Sequence, residues 1–402
     1  MRRLHFAKAT TMLLVLWTGR GLLVLGNDTS AEAAELPESL KPGVRVGKGV
    51  LEKTLFFEDK RLGWPDGIFV GDWIPEHVGG EVAAASSDGV AFVSKDGELL
   101  DYVDFRKKKW YQEGSLTQME AFDANGDGTC EFFTGADLVD YACLVDRKGD
   151  LIWGTKTCLP DPNAATHGDL NQDGHHEFCM HNGEDFVMVD HKGKLLWKNK
   201  APVEHRMWFC NLYFVDLQGD STPEIAAVDS ERLLVFDVNG KLLSEKLIKG
   251  SEITLENSRL VHHPDENGSL YFWGGAKKKN LSFAALVNLN ADSIFRTFDV
   301  PAMIDPCTTA VKFKGGEAPF FVICGWIGMP GPSGERYEFT ANILNVLDQS
   351  GKVVYCEYFG EDVGKCVAAV SGERQDEEFL LVGGKGPNYE GRVWRYRMAP
   401  TN

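Results

Sequence analysis

The sequence predicts an all-β fold built from one repeated unit, and three observations support this prediction. Three acidic nine-residue loops each run directly into an apolar strand-like segment, and their first residues, Asp123, Asp169 and Asp216, are 46 and 47 positions apart. X-Gly pairs, which signal tight hairpin turns, recur between apolar runs. No amphipathic helical stretch of ten or more residues follows the N-terminus. A repeat of this length holds about four short strands, which is the size of one β-propeller blade.

The number of blades follows from strand segments that occupy equivalent places in the repeat. Seven such segments begin at Glu81, Glu131, Glu177, Glu224, Ser269, Pro319 and Glu378. The last repeat holds only three strands, and the spare segment Val50–Phe57 is suitably patterned to pair with it as the fourth. We therefore predict one seven-bladed β-propeller over residues 45–400, with four-stranded blades and closed by an N-terminal strand. A two-domain α/β fold is the alternative.

The acidic loops have the chemistry of a calcium site, because Ca²⁺ takes six to eight oxygen ligands from carboxylates, amides and carbonyls. An EF-hand would need Glu at the twelfth position, where this chain has Thr134, Met180 and Ala227. Ordinary Asn-Gly and Asp-Gly turns are the remaining alternative. We predict Ca²⁺ in the first two loops and a weaker third site, where Ser221 replaces Gly. The predicted ligands, at positions 1, 3, 5, 7 and 9 of each loop, are Asp123, Asn125, Asp127, Thr129 and Glu131; Asp169, Asn171, Asp173, His175 and Glu177; and Asp216, Gln218, Asp220, Thr222 and Glu224.

The pattern Asp-x-Asn-Gly-Asp-Gly followed by an apolar strand resembles the FG-GAP (VCBS-type) repeat of integrin alpha propellers and of many secreted bacterial proteins. The resemblance is one of repeats and covers roughly residues 45–400, with the acidic loop in three of them. It implies a propeller that binds calcium. Every loop here closes with Glu, whereas that family usually has Asp.

Charge and the N-terminus limit the partners and the location. A net charge of −17 argues against nucleic acid and anionic membrane surfaces. Residues 1–33 read as a signal peptide, since basic residues precede apolar runs and Ala31-Glu-Ala33 fits a cleavage site. Residues 34–44 would form a flexible leader, and Arg20 interrupts the apolar stretch, so we expect no membrane span in the mature chain. We expect an exported protein that is secreted, periplasmic or at the cell surface; an uncleaved anchor is the alternative.

Nine cysteines are present, without a C-x-x-C motif. Should a disulfide form, Cys356 and Cys366 are the first candidates, because they flank one connection between blades.

A ligand would bind the face of the propeller that carries the long connections. If the strands of a blade are called A to D from the axis outward, the calcium loops join A to B and the X-Gly turns join C to D on one face. The B–C and D–A connections lie on the other face, and function concentrates in such loops. They hold aromatic and basic residues suited to a glycan or an extracellular protein: Trp64, Trp110, Tyr111, His205, Arg206, Trp208, Trp326, Arg336, Tyr337 and Tyr389. The alternative is that several of these aromatics pack blade against blade.

No catalytic motif of the G-x-S-x-G, H-E-x-x-H or phosphate-loop type occurs. The sequence therefore favours a non-catalytic carbohydrate- or protein-binding module. The alternative is a calcium-dependent polysaccharide lyase, because the propeller with these loops also resembles the scaffold of rhamnogalacturonan lyases. The candidate catalytic residues would then be His205, Arg206, His167 and Tyr111.

Overall fold

The computed structural model describes residues 17–18, 21–22, 45–46, 49–77, 79–111, 116–136, 141–155, 165–181, 185–200, 211–217, 222–228, 232–247, 254–261, 271–278, 281–288, 293–298, 304–313, 320–330, 337–348, 351–359, 363–371 and 378–399. Strands dominate these residues. Their only helical element is a single 3₁₀ turn, Phe105–Lys107. Within the same ranges, no helix has the length and hydropathy that a bilayer span requires.

The strands are numbered in chain order. They are β1 Trp17–Thr18, β2 Gly21–Leu22, β3 Arg45–Val46, β4 Leu51–Asp59, β5 Pro65–Gly71, β6 Glu81–Ser86, β7 Gly89–Ser94, β8 Leu99–Asp104, β9 Leu116–Phe122, β10 Glu131–Ala136, β11 Tyr141–Val145, β12 Leu151–Thr155, β13 Ala165–Gly168, β14 Glu177–His181, β15 Asp185–Val189, β16 Leu195–Lys200, β17 Asn211–Val215, β18 Glu224–Val228, β19 Arg232–Phe236, β20 Leu242–Leu247, β21 Thr254–Val261, β22 Tyr271–Lys278, β23 Leu281–Asn288, β24 Ser293–Phe298, β25 Ile304–Val311, β26 Phe320–Pro330, β27 Tyr337–Leu347, β28 Val353–Phe359, β29 Val363–Ser371, β30 Glu378–Lys385 and β31 Gly391–Met398.

Apart from the short hairpin β1–β2, these strands form seven antiparallel sheets. Sheets one to five take four consecutive strands each, β5–β8, β9–β12, β13–β16, β17–β20 and β21–β24. Sheet six contains β25–β28 with β3 added at its outer edge, and sheet seven contains β29–β31 with β4 at its outer edge. The repeat that the sequence predicts therefore corresponds to one sheet.

The N-terminal segment provides the outer strand of sheet seven. β4 pairs antiparallel with β31, from Leu51 opposite Met398 to Asp59 opposite Gly391. In addition, β3 pairs with β28, with Val46 opposite Cys356. The outer backbone edges of β28 and β31 are thus covered by chain from the other end of the protein.

The X-Gly turns form where the sequence predicts them, between the third and fourth strands of a sheet. Gly149, Gly193 and Gly240 have positive φ angles of 76°, 76° and 78°. Each donates its N–H to the carbonyl oxygen three residues earlier, at 2.8–2.9 Å. Glycine adopts this left-handed conformation without a Cβ clash, which explains its recurrence at these turns.

The core lies between successive sheets. Each of five clusters of buried residues joins two of them, with representative pairs Phe92 and Phe132 (sheets one and two), Phe133 and Phe178 (two and three), Phe186 and Phe236 (three and four), Val346 and Trp394 (six and seven), and Phe379 and Val82 (seven and one). Full burial of one such Phe stabilises the fold by about 1.5–3 kcal/mol. Sheet seven therefore packs on both sheet six and sheet one.

Cysteine usage differs from the sequence-based expectation. Cys356 and Cys366 are both buried free thiols, so the disulfide between them is absent. They lie in different sheets, Cys356 in β28 and Cys366 in β29. Cys356 takes part in the β28–β3 pairing, which the sequence does not predict.

Candidate functional site

The two best-matching acidic loops connect the first and second strands of sheets two and three. In the first of them, Asp123 accepts N–H groups from Gly126 (2.8 Å), Asp127 (3.1 Å) and Gly128 (2.8 Å). The loop thus curls around its own position-1 carboxylate. Gly126 and Gly128 have φ angles of +75° and +80°, which explains the glycines at positions 4 and 6.

The loop of sheet three repeats this arrangement. Asp169 accepts N–H groups from Asp173 (3.0 Å) and Gly174 (2.9 Å). Position 4 is Gln172, which holds a left-handed φ of 59° although it is not glycine. The two loops also touch, because the N–H of His176 donates to the carbonyl oxygen of Ala124 at 2.9 Å. This backbone hydrogen bond joins the acidic loops of sheets two and three directly.

The glutamate that closes each loop is a buried anchor. Glu131 is 2% exposed, and its Oε2 accepts the N–H of Ala124 at 2.7 Å while its Oε1 accepts from the Asn125 amide at 3.2 Å. Glu177 makes the same two bonds, with Leu170 N–H at 2.9 Å and the Asn171 amide at 3.0 Å. Each carboxylate fixes the start of the loop to the start of the next strand.

The same anchor occurs in sheet one, where no acidic repeat is recognisable. Glu81 is fully buried and accepts the N–H of Trp73 at 2.7 Å and of Ile74 at 3.2 Å. His77 Nδ1 lies 2.7 Å from its other oxygen and takes the place of the asparagine amide. From the sequence, Glu81 is recognisable only as the start of a strand, because its loop is one residue longer and lacks the Asp-x-Asn pattern.

Electrostatics separates the buried glutamate from the exposed aspartate of the loop. Burial raises the pKa of Glu131 to about 7, against the lowering effect of the Ala124 N–H bond. The Thr129 hydroxyl, at 2.6 Å, is the main cause that lowers the pKa of Asp127. In the next loop, the N–H of His175 lowers the pKa of Asp173 in the same way. The position-5 aspartates are therefore held in the anionic form at neutral pH.

The donor set fits calcium by its chemistry, because each of the two described loops presents three carboxylates and one amide, all hard oxygen donors. The arrangement itself is held by N–H bonds to those oxygens. In the described part of the chain, no three His, Cys, Asp or Glu side chains are arranged to hold a metal ion. Calcium binding therefore stays a prediction.

The third acidic loop is described only at its ends. Asp216 and Thr222 are exposed, and buried Glu224 accepts the N–H of Leu217 at 2.8 Å, as in the other loops. Gln218 and Asp220 lie outside the described residues.

Two of the predicted ligand-face aromatics come together around a lysine. The ammonium nitrogen of Lys385 lies 4.4 Å from the ring centroid of Trp64 and 4.4 Å from that of Tyr389. Trp64 belongs to the connection from β4 to β5, and Tyr389 to the connection from β30 to β31. We call this trio the Lys385 cluster. A cation between two aromatic rings is held by attraction to both π faces.

The turn that carries Tyr389 is closed by two backbone bonds. Gly386 N–H donates to the Glu390 carbonyl at 2.9 Å, and Tyr389 N–H donates to the Gly386 carbonyl at 3.0 Å. Tyr389 has a φ of 65°, which is uncommon for a bulky residue, and its side chain is 72% exposed. A large aromatic ring is thus held out from the surface on a strained backbone, a feature that clusters at binding sites.

The carboxylates next to this turn are paired with an arginine. Arg392 contacts Glu390 at 2.6 Å and Glu58 at 2.7 Å, and Glu390 is 2% exposed. Lys385 itself has no carboxylate partner among the residues that the structure describes. The cluster therefore presents a positive charge between two rings on a protein that is acidic overall.

The predicted residues Trp110 and Tyr111 lie at the interface between sheets one and two. The indole N–H of Trp110 donates to the Gly149 carbonyl at 2.7 Å, and its ring packs on Phe105. Tyr111 packs on Trp110 with ring centroids 6.4 Å apart. Trp197 repeats the contact at the interface of sheets three and four, where its N–H donates to the Val238 carbonyl at 2.9 Å. In these places the aromatic ring packs one sheet on the next.

His167, a candidate acid or base of the lyase alternative, is part of a packed cluster between β9 and β13. Its Nε2 lies 2.9 Å from Glu120 Oε2 and its Nδ1 lies 2.9 Å from Nδ1 of His176. The Phe122 ring stacks on it at 3.3 Å. Burial lowers the pKa of His176, and the neighbouring His167 lowers it further. A hydrogen bond between the two Nδ1 atoms requires one of them to donate and the other to accept.

The remaining predicted residues cannot be placed in the site. His205, Arg206, Trp208 and Arg336 lie outside the described residues. Trp326 and Tyr337 occupy strand positions in β26 and β27, with Trp326 opposite Asn342 and Tyr337 opposite Pro330. Lys385 lies in the sequence-predicted connection that carries Tyr389, residues 384–389, but is not among the ligand residues predicted from the sequence.

Solved structures show which fold this arrangement of sheets represents. The Pan2 WD40 domain of Neurospora crassa matches with a TM-score of 0.51 and 12% identity, over 87% of this chain and 96% of that chain. BBS1N, solved in complex with ARL6DN, matches with a TM-score of 0.55 and 8% identity, over 87% and 98%. The fold is a β-propeller. Streptogramin B lyase also matches this propeller, with a TM-score of 0.52 and 10% identity, over 87% and 98%.

No protein-family model matches the sequence, and no curated protein matches it. The likeness to solved structures at these identities establishes the fold alone, and it spans both protein-bound and enzymatic propellers.

Proposed function

We propose that this chain is an exported, calcium-binding propeller of the FG-GAP/VCBS type that binds acidic carbohydrate without catalysis. In this proposal, residues 1–33 are the signal peptide, residues 34–44 a leader, and residues 45–400 a closed ring of seven blades. The ring is supported by the seven sheets and by the contact of β29 with β5, which brings sheet seven against sheet one. The calcium part is supported by the oxygen-rich loops at 123–131 and 169–177.

The single observation that carries the binding function is the Lys385 cluster. An exposed aromatic ring next to a fixed cation suits a sugar that has an apolar C–H face and a carboxylate. Tyr389 would stack on the pyranose ring, and the Lys385 ammonium, 4.4 Å from two ring centroids, would pair with the carboxylate. Arg392 is occupied by Glu58 and Glu390, so Lys385 is, among the residues described around this turn, the cation that a ligand can reach.

The local Lys385 cation, and not the net charge of the protein, favours a uronate polymer over a neutral glycan. The protein carries a net charge of −17, so an acidic ligand would be repelled unless a local cation offset the field. Binding should therefore weaken at low ionic strength, where repulsion by the remote carboxylates is least screened, and at very high salt, where the local pair is screened.

The test is calorimetric titration of the purified chain with oligogalacturonate, with a neutral hexose oligomer as control ligand. Lys385→Met should reduce affinity by about tenfold or more, since a charge-assisted contact contributes about 1.5–3 kcal/mol. Tyr389→Asn removes the ring while keeping a residue that accepts positive φ, and should reduce affinity similarly. Lys352→Met, an exposed lysine of a third-to-fourth-strand turn, is the matched charge control and should change nothing.

Binding of the uronate that survives both cluster variants would refute this choice of site. Binding of the neutral oligomer alone, or of a protein alone, would refute the acidic-carbohydrate assignment. The lyase alternative predicts products with near-ultraviolet absorbance when polyuronate is incubated with the protein and calcium. Their appearance would overturn the non-catalytic proposal, and loss of the signal in His205→Ala would then identify the base.

A further inference from the structure

Two cysteines face each other across the first two strands of sheet six. Cys307 in β25 is the direct antiparallel partner of Cys324 in β26. Directly opposed residues of an antiparallel pair point to the same face of the sheet, with Cα atoms about 4.5–5.5 Å apart. A disulfide spans Cα separations of roughly 4.4–6.8 Å. The register alone therefore brings these two thiols within bonding reach.

Both side chains take part in the contact of sheet six with sheet seven, and Cys307 also packs against the cluster between sheets seven and one that contains Cys366. Cys324 is fully buried, and Cys307 is partly exposed at its edge. The Sγ of Cys307 lies 3.4 Å from the backbone nitrogen of Val367 in β29. The pair thus sits where the first strands of two neighbouring sheets meet.

A third thiol nearby has a different orientation. Cys366 follows on β29, but its Sγ approaches the Pro65 carbonyl at 3.7 Å, toward sheet one. Its core contacts are those between sheets seven and one, whereas Cys324 belongs to the contact between sheets six and seven. Because Cys307 is in register with Cys324 and the Cys366 sulfur is directed at Pro65, we expect Cys366 not to take part.

We propose that Cys307 and Cys324 form a disulfide when the folded protein meets a small-molecule disulfide oxidant. The Cys307 thiolate attacks the oxidant R–S–S–R, which forms a Cys307–S–S–R bond and releases one thiol R–SH. The Cys324 sulfur then attacks the Cys307 sulfur and releases the second R–SH. The two cysteines lose two electrons and two protons in total, and the oxidant gains both as two thiols.

The two sulfurs have unequal roles in this reaction. Cys307 is the thiol that solvent reaches, so it makes the first attack. Cys324 is the resolving thiol, and its pKa is raised well above the usual value by burial first and then by Cys307, Cys366 and Glu357, with Lys53 acting the other way. The mixed disulfide on Cys307 should therefore accumulate before the Cys307–Cys324 disulfide forms.

The experiment treats the full-length reduced chain with oxidised glutathione, alkylates free thiols under denaturing conditions, and maps the tryptic peptides without reduction. Lys312 and Lys314 lie between the two cysteines, so the product is a linked pair of peptides, residues 297–312 and 315–336. We expect this pair to appear, with two fewer alkylated thiols than in the reduced protein, and to vanish on reduction. A rise in Tm that reductant reverses should accompany it, because the cross-link restricts the unfolded chain.

Matched variants separate this bond from other oxidation. Cys307→Ser and Cys324→Ser should each abolish the linked pair, whereas Cys366→Ser should leave it intact. If Cys324→Ser fails to fold, Cys324→Ala tests the same sulfur in an apolar site. A disulfide that involves Cys366 would overturn the proposal. So would a folded protein in which every cysteine is still free for alkylation after treatment with the oxidant.

Discussion

The contact between sheets six and seven contains a buried ion pair whose removal should cost more than any surface charge. Lys53 of the N-terminal strand β4 donates to Glu357 of β28 at 2.8 Å, and their side chains are only 14% and 2% exposed. The hydroxyls of Tyr355 and Tyr396 also donate to Glu357, at 2.7 and 2.9 Å. The Lys53 ammonium lies over the Phe359 and Trp394 rings, 4.7 Å from each centroid.

Lys53→Met should therefore leave the Glu357 carboxylate buried without its counter-ion. Breaking a buried pair by removing one partner costs about 3–5 kcal/mol. The two tyrosine hydroxyls remain as donors, so we expect the lower end, about 3 kcal/mol. The double variant Lys53→Met with Glu357→Gln removes both charges and keeps an acceptor for the hydroxyls, so it should be more stable than Lys53→Met alone.

The assay is urea unfolding of the four proteins of this cycle, each without added calcium. Lys198→Met is the matched control, because its partner Asp185 lies at 2.8 Å but the lysine is 45% exposed. That surface pair should contribute no more than about 1 kcal/mol. If Lys53→Met lowers the free energy of unfolding no more than Lys198→Met does, the view that a desolvated ion pair holds the N-terminal strand is refuted.

Three further outcomes are expected. Millimolar Ca²⁺ should raise the melting temperature, because each bound ion adds about 2.7 kcal/mol of stability at a hundredfold excess over Kd. Asp127→Ala or Asp173→Ala should reduce this gain more than Asp220→Ala. A melting curve that changes with neither EDTA nor Ca²⁺ would remove the calcium proposal. Burial lowers the pKa of His181 to about 4, so between that pH and about 6.5 only the unfolded chain binds this proton. The free energy of unfolding should therefore fall by up to about 3 kcal/mol as the pH drops through this window, and urea unfolding of His181→Gln should lack this part of the decrease. Deletion of residues 34–44 should leave stability nearly unchanged. Deletion through Asp59 removes β4 and exposes the β31 edge, so light scattering should detect aggregation. A soluble, folded product of the longer deletion would contradict this role of β4.

Features of local origin could be predicted from the sequence. The turns at Gly149 and Gly193 follow from the need for positive φ between two strands, and that need is visible in a few adjacent residues. The pairing of β4 with the last sheet was also predictable, because the final repeat lacked a strand and the N-terminus had one to spare. In both cases a local pattern or a strand count left few alternatives.

Contacts between distant parts of the chain could not be predicted in the same way. Lys53 and Glu357 are 304 residues apart, and nothing in either neighbourhood identifies the other. Trp110 looked like a ligand-face residue because it sits in a long connection, yet its N–H bonds the turn of the next sheet. The role of Glu81 could not be predicted because the His77 ring takes the place of the asparagine amide. A histidine in the sequence gives no sign that it plays this part.

The proposed ligand site and the junction of the two chain ends are physically connected. Arg392 of β31 pairs with Glu58 of β4, and the chain then runs from β4 through Trp64 of the Lys385 cluster into sheet one. A ligand held by Trp64, Lys385 and Tyr389 would therefore contact both sides of this junction and favour its paired state. Linkage is reciprocal, so the free energy by which a bound ligand would favour the paired state of β4 equals the free energy by which pairing would favour the ligand. A change that unpairs β4 in part of the molecules would lower the apparent affinity by the fraction that remains paired. If the proposed site binds carbohydrate, variants such as Lys53→Met that unpair β4 would lower the affinity although Lys53 does not belong to the Lys385 cluster.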